Sequence, residues 1–338
     1  GGGDRGGGMS AAPLPREPSR QPRILVTGAA GQVGTDLVPV LRRRHGQEAV
    51  IAAWHRGRLA DEVAESGPAM ELDVTDPAAF QDAVAANGIT QVYHLATLLS
   101  AAGETDPDRA WTVNLGSLRT VLDIARQSTV ERLFWPSSIA VFGPTSPRHG
   151  TPQETVLEPT TMYGVTKLAG EALCRYYALR FGIDVRSLRY PGLVSYSRFS
   201  GGGTTDYSVE MFLHALRTGS YRCFVREDTV LPLMFMEDAL RATVELMTAP
   251  AAAITVRGSY NLTALSFTAG ELAAAIARRV PGFSCTFEPD FRQAIADSWP
   301  ATIDDSRARR DWGWRPRFDL DAMTDAMLEG VARLGAGA

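Results

Sequence analysis

Tyr163 and Lys167 stand four residues apart in the segment Tyr163-Gly164-Val165-Thr166-Lys167. On a helix this spacing puts both side chains on one face. A free phenol ionises near pH 10 and is a poor base at neutral pH, but an ammonium group one turn away favours the phenolate. Such a pair can take a proton from an alcohol. Tyr-x-x-x-Lys alone is more often a surface pair, and its weight here comes from Ser137-Ser138-Ile139-Ala140-Val141-Phe142-Gly143 upstream. That run ends a strand-like segment, and ligands of open α/β sheets bind beyond the carboxyl ends of strands. Ser138 is therefore expected to hydrogen-bond a substrate hydroxyl or carbonyl; capping a turn is the other use open to it.

A second motif suits a phosphate. Thr27-Gly28-Ala29-Ala30-Gly31-Gln32-Val33-Gly34 follows the apolar run Ile24-Leu25-Val26 and opens a helix whose stripe is Val33, Leu37 and Leu41. Its glycines permit a tight turn and close backbone approach to a pyrophosphate, while the helix start offers free N–H groups and the positive end of a dipole. An ordinary glycine turn is the competing reading, and the strand before and helix after weigh against it.

The elements that would carry these groups alternate. Strands are expected at Arg23–Thr27, Ala49–Ala53, Met70–Val74, Gln91–Ala96, Arg132–Pro136 and Val185–Tyr190. Helices are expected on the Val33, Leu37 and Leu41 stripe after the Gly28–Gly34 turn, ending near His45-Gly46 (with Pro39 inside), and at Phe80–Ala86, Ala110–Gln127 and Thr161–Phe181. Strand–helix alternation implies a doubly wound, Rossmann-type α/β fold, a parallel sheet covered on both faces. After Pro191 the rhythm breaks, with helices expected near Tyr207–Thr218, Met236–Met247, Ala269–Arg279 and Leu320–Leu334. We read residues 23–190 as a dinucleotide-binding domain. Residues 191–338 are read mainly as a smaller C-terminal substrate lobe, with segments returning to the main sheet. Residues 1–22, rich in Gly, Pro and Arg and without an apolar run, read as a flexible leader rather than a signal peptide.

Composition narrows the classes. The 338 residues carry 34 Lys and Arg against 38 Asp and Glu, a net charge of −4, which gives no overall drive toward nucleic acid or an anionic membrane. No continuous apolar run is long enough to span a bilayer. Cys174, Cys223 and Cys285 are too few and too scattered for a disulfide framework, so a reducing, cytoplasmic setting is expected. The five histidines, His45, His55, His94, His149 and His214, show no metal-ligand spacing, so no metal is expected, and His94 reads as a structural histidine within a strand.

Taken together, the glycine motif, Ser138 and the Tyr163/Lys167 pair about 25 residues later resemble the extended short-chain dehydrogenases/reductases. Further segments are similar to that family's short-chain L-threonine 3-dehydrogenases. These are Val92–Ala96, Leu99-Ser100, Phe134–Pro144, Leu188–Tyr196, Gly201–Tyr207, Ser298–Pro300, Asp304–Ser306 and Asp311–Trp314. The resemblance spans about residues 23–335 and implies NAD-linked oxidation of the β-hydroxyl of L-threonine, or of a related β-hydroxy amino acid. It implies that Tyr163 is the base, that Lys167 holds the nicotinamide ribose, that Ser138 orients the hydroxyl, and that Asn114 supports a water or proton path. For the cofactor it implies Gly28, Ala30, Gly31, Gln32, Val33, Gly34, Trp54, Arg56, Asp73, Val74, Leu95, Ala96, Thr97, Tyr190, Pro191 and Leu193. For the substrate it implies Ser100, Gly203, Thr204, Thr205 and Trp299, with Ser138 and Tyr163; Trp299 reads equally as a packing anchor. It also implies a homodimer through the Ala110–Gln127 and Thr161–Phe181 helices.

One departure stands out. NAD-preferring enzymes end the second strand with an acid that binds the adenosine ribose diol. Here the strand ends Ala53-Trp54-His55-Arg56-Gly57-Arg58. Family habit points to NAD; Arg56 and Arg58 also suit a 2′-phosphate, so NADP stays open. For Asp73, an adenine contact and an N-cap of the next helix are both open. Two other functions are weighed. A nucleotide-sugar epimerase or reductase shares the fold, whereas a dehydratase lacks its acids, because Ile139-Ala140 follow Ser138. A catalytically silent dinucleotide sensor would not need Ser138, Tyr163 and Lys167 together.

Overall fold

A computed structural model describes residues 21–198 and 203–335. Within it come, in chain order, β1 (Ile24–Thr27), β2 (Val50–Trp54), β3 (Ala69–Glu71), β4 (Gln91–His94), β5 (Arg132–Phe134), β6 (Ser137–Ser138) and β7 (Asp184–Arg186). All but β6 form one parallel sheet in the order β3-β2-β1-β4-β5-β7. This is the Rossmann-type architecture. The order reverses between β1 and β4, which opens a crevice at their carboxyl ends.

Period-two alternation feeds the two faces of the sheet. Ile24 and Val26 of β1, with Val50 and Ala52 of β2, pack with the helices Gln32–His45 and Met236–Thr248. Leu25, Ile51 and Ala53 face the other way, onto Pro77–Ala86, Ser117–Gln127 and Met162–Phe181. The unbroken burial of β1 and β4 reflects this double cover.

Beyond β7, the strand β8 (Leu188–Tyr190) pairs with β6, and β9 (Gly192–Val194) starts a second layer. There follow β10 (Ser220–Cys223), β11 (Val230–Phe235), β12 (Tyr260–Asn261), β13 (Leu265–Thr268) and β14 (Ser284–Phe287). The order β13-β11-β9 makes one small sheet, and β10 pairs with β14. A separate apolar cluster built on Phe212, Leu231, Phe235, Leu272 and Met327 fills this part. β12 returns to pair with β8, and Trp314 is fully buried in the cluster on the β1/β2 face.

Several expected elements differ in detail. The expected strand Arg132–Pro136 stops at Phe134 and resumes at Ser137, because Pro136 has no N–H to continue the ladder. The expected strand Val185–Tyr190 divides at Ser187: Asp184–Arg186 pairs with β5, Leu188–Tyr190 with β6 and β12. The third strand ends at Glu71 because the chain turns at once, Asp73 accepting hydrogen bonds from the Thr75 N–H and hydroxyl. The expected single helix Ala110–Gln127 is α-helical from Ser117 but passes through a π-helical stretch, Trp111–Gly116. The first helix runs through Pro39, as the apolar stripe required. Residues 1–20 of the expected leader, Gly201 and Gly202 of the glycine triplet, and residues 336–338 lie outside the described residues.

Candidate active site

One cleft of about 940 Å³ runs along the carboxyl ends of β1, β2, β4 and β5. Every sequence-predicted site residue lines it except Asn114. At the crevice, Gly28 takes φ +69°, and a Cβ there would sit 2.8 Å from the Ala96 backbone N. A Cβ on Gly34 would sit 2.3 Å from the Gly28 carbonyl. Only glycine allows the turn, the first helix and the strand β4 to approach this closely. Gly31 caps that helix without a side chain, so its opening N–H groups face the cleft uncapped. This cradle suits a dinucleotide pyrophosphate.

Behind it, His94 is clamped between the Thr27 hydroxyl at Nδ1 (2.9 Å) and the Ser117 hydroxyl at Nε2 (2.8 Å). Burial pushes its pKa down to about 3, so it stays neutral and structural, as expected from the sequence.

Across the cleft, Ser138 heads a short turn and its Oγ accepts from the Ala140 N–H at 3.1 Å. It caps, and its side chain stands by the Tyr163 phenol, whose pKa it lowers. Gly164 makes this meeting possible: a Cβ there would lie 2.2 Å from the Ala140 carbonyl oxygen. Lys167 is buried, donates to the Pro136 carbonyl at 2.6 Å, and lies 4.6 Å over the Trp135 ring and 5.5 Å from the centre of the Tyr163 ring.

The electrostatics correct the expectation that Lys167 depresses the Tyr163 pKa. Burial pushes the phenol up to about 12, and the Ser138 hydrogen bond is what opposes it. Burial pushes Lys167 down to about 7, with Cys174 and Glu171 pulling the other way. Deeper still, Glu171 accepts from Ser137 at 2.6 Å and holds Arg189 through Nε at 2.9 Å and Nη2 at 2.7 Å. This buried pair fixes the helix one turn beyond Lys167 against the residue beside Ser138.

Asn114 sits in the π-helical stretch. Its Oδ1 accepts from Leu98 N–H (2.7 Å) and the Thr97 hydroxyl (3.0 Å), and its Nδ2 donates to the Leu98 carbonyl and to Thr166. With this bonding it ties the loop after β4 to the helix of Tyr163 and does not line the cleft. Ser100, Gly203, Thr204, Thr205 and Trp299, the residues expected to meet the substrate, all line the cleft. Gly192 lets Thr205 close in: a Cβ there would lie 2.7 Å from the Thr205 methyl. Trp299 both packs in the second apolar cluster and forms cleft wall.

At the adenosine end, Trp54, Arg56, Asp73 and Val74 line the cleft, and Arg58 does not. The following helix is N-capped by Asp76, which leaves Asp73 free of that task. His55 and Arg198 were missed from sequence, since neither belongs to a motif; the position of His55 directly after the strand end was the available signal.

The comparisons agree with this geometry. The NAD-dependent epimerase/dehydratase family matches residues 24–263. The mitochondrial L-threonine 3-dehydrogenase of Sus scrofa is 45% identical over 311 residues, 92% of this chain and 83% of that protein. A GalE-like L-threonine dehydrogenase from Cupriavidus necator, solved in a holo form, is 51% identical with a TM-score of 0.88, covering 92% of this chain and all (100%) of that one. A monomeric L-threonine 3-dehydrogenase from a metagenome is 46% identical with a TM-score of 0.87, covering 92% of this chain and 99% of that one.

Proposed function

The chain belongs to the NAD-dependent epimerase/dehydratase family, and from that premise we propose that it is an NAD-dependent L-threonine 3-dehydrogenase. The observation that carries the reading is one cleft in which a glycine cradle, Ser138, Tyr163 and Lys167 side by side, and a wall of Ser100, Thr204, Thr205 and Trp299 are brought together. Relatives named for this activity at 45–51% identity support the substrate.

Oxidation removes the proton of the threonine β-hydroxyl and a hydride from the same carbon, giving 2-amino-3-oxobutyrate. When bound, the nicotinamide dinucleotide supplies the hydride acceptor and a positive charge beside the phenol. Gly28, Gly31 and the opening of the first helix hold its pyrophosphate. Tyr163 takes the hydroxyl proton, Ser138 holds the hydroxyl in line, and Lys167 would hold the nicotinamide ribose. Asn114 acts by positioning, because its hydrogen bonds hold the Thr97–Leu98 loop and Thr166 rather than the phenol. Replacement of Tyr163 by Phe removes the base while keeping the ring. In Tyr163→Phe, kcat for threonine-dependent NAD reduction is expected to fall by about 100-fold or more, with NAD still bound. Parent turnover in a folded, NAD-binding variant would refute the reading.

This reading includes self-association. Val165, Tyr176 and Leu179 project exposed apolar side chains from one face of the Met162–Phe181 helix, beside exposed Trp111 on the adjoining π-helical stretch. An apolar strip on two neighbouring helices suits an isologous dimer. A cytoplasmic location goes with three free cysteines, two of them buried. Among the described residues no helix is long and apolar enough to cross a membrane.

A further inference from the structure

The adenosine end of the cleft has lost the group that selects for a ribose diol. β2 ends on Trp54, whose carbonyl receives the Leu72 N–H at 2.7 Å and whose indole lines the cleft. An indole donates one hydrogen bond and accepts none, so it cannot receive the two ribose hydroxyls as a carboxylate does. The nearest carboxylates are engaged. Asp73 accepts from Thr75 twice, at 2.9 and 2.7 Å, and its other oxygen faces His55 at 3.5 Å. Glu71 faces the same imidazole at 3.7 Å.

The cations at this end form no salt bridge among the described residues. Arg56 lines the cleft and, among the described residues, has no carboxylate within ion-pair distance. Arg198 also lines it, reached from the loop after β9. Its Nη1 donates to the Arg58 carbonyl at 3.2 Å, and its Nη2 rests against Gly57, 3.6 Å from where a Cβ would stand. Arg58, by contrast, is paired with Asp61 outside the cleft. Gly57, next to Arg56, takes φ +77°, and the Arg198 guanidinium rests against this turn.

We propose that Arg56 and Arg198, flanking Trp54, form a subsite for the 2′-phosphate of an adenine nucleotide, so that the cleft accepts NADP as well as NAD. A guanidinium makes strong charge-assisted bonds to a phosphate, the strand end itself carries Trp54 where a carboxylate would repel it, and the nearby Asp73 and Glu71 face His55. The inference rests on the cofactor assignment above but not on threonine as substrate.

The test is direct binding to the cofactor-free protein by calorimetry, with adenosine 2′,5′-bisphosphate, adenosine 3′,5′-bisphosphate and adenosine 5′-monophosphate as probes. The 2′,5′-bisphosphate is expected to bind at least as tightly as the monophosphate and more tightly than the 3′,5′-isomer. Arg56→Ala and Arg198→Ala should each weaken the 2′,5′-bisphosphate about threefold more than the monophosphate, and Trp54→Asp about tenfold more. Weaker binding of the 2′,5′-bisphosphate than of the monophosphate, no preference over its isomer, or equal losses for all probes would overturn the proposal. Failure of every nucleotide to bind would overturn it together with the cofactor assignment. Nucleotide binding without threonine turnover would remove the substrate reading and leave the subsite standing.

Discussion

Lys167 and Tyr163 titrate away from their ordinary values in opposite senses, and each shift has a sign in stability. Lys167 is held at about 7 in the folded protein against 10.5 when unfolded. Between those values the unfolded chain holds more protons, so stability rises with pH, by up to ~1.4 kcal/mol per unit. That contribution is full above 10.5 and lost as pH falls to about 7. Tyr163, held at about 12 against 10, contributes stability below pH 10 that is lost as pH rises toward 12. Urea unfolding of the cofactor-free protein from pH 7 to 8, below the range where the unfolded thiols ionise, is expected to show the positive slope, and Lys167→Met to flatten it. Equal slopes would place the proton elsewhere. At this scale the sequence showed which side chains meet, because i and i+4 geometry is local. It did not show that burial raises the phenol, because burial depends on Pro136, Trp135 and Ser138 arriving from another element.

Element by element, legibility followed backbone chemistry. The glycine turn was readable because its φ +69° residue and its close approaches are possible only for glycine. The break at Pro136 was readable in principle, since proline ends a ladder, yet the apolar run through Trp135 concealed it. The π-helical stretch at Trp111–Gly116 left no pattern, because its apolar spacing matches an α-helix; only the Asn114 hydrogen bonds to Thr97, Leu98 and Thr166 show what it serves. The approach of the Met162–Phe181 helix to Ala140 makes a specific forecast. Gly164→Ala should lose about 1–3 kcal/mol of stability and at least about 100-fold in kcat, as the helix shifts Tyr163 away from Ser138. A variant with full kcat and an unchanged melting temperature would show that the helix contact does not set the site. Asn114→Ala should leave the Leu98 N–H without its partner, while the Thr166 hydroxyl keeps its bond to the Tyr163 carbonyl, and cost about 1–3 kcal/mol in urea unfolding.

For the whole molecule, the exposed strip of Trp111, Val165, Tyr176 and Leu179 is the feature that bears on assembly. Tyr176→Glu with Leu179→Glu should convert a dimer to a monomer by light scattering at micromolar concentration, with the far-UV spectrum retained. A parent protein that is already monomeric would refute the dimer, and a monomeric relative of 46% identity shows that this fold permits it. The interleaving of the two halves is the other large-scale property. The helix Met236–Thr248 closes the β1/β2 face, and its last turn is gripped by Arg132 and Arg186, which donate to the Met247, Leu246 and Ala249 carbonyls. Asp184 joins the two guanidinium groups at 2.7 and 2.9 Å. A nascent chain emerging from the ribosome thus completes its nucleotide-binding strands well before the helix that roofs them exists. At ~5–20 residues per second, that oily surface waits bare for seconds. Chaperone demand during translation should track this interval, and a stall placed between codons 190 and 236 should promote aggregation more than one placed after codon 315.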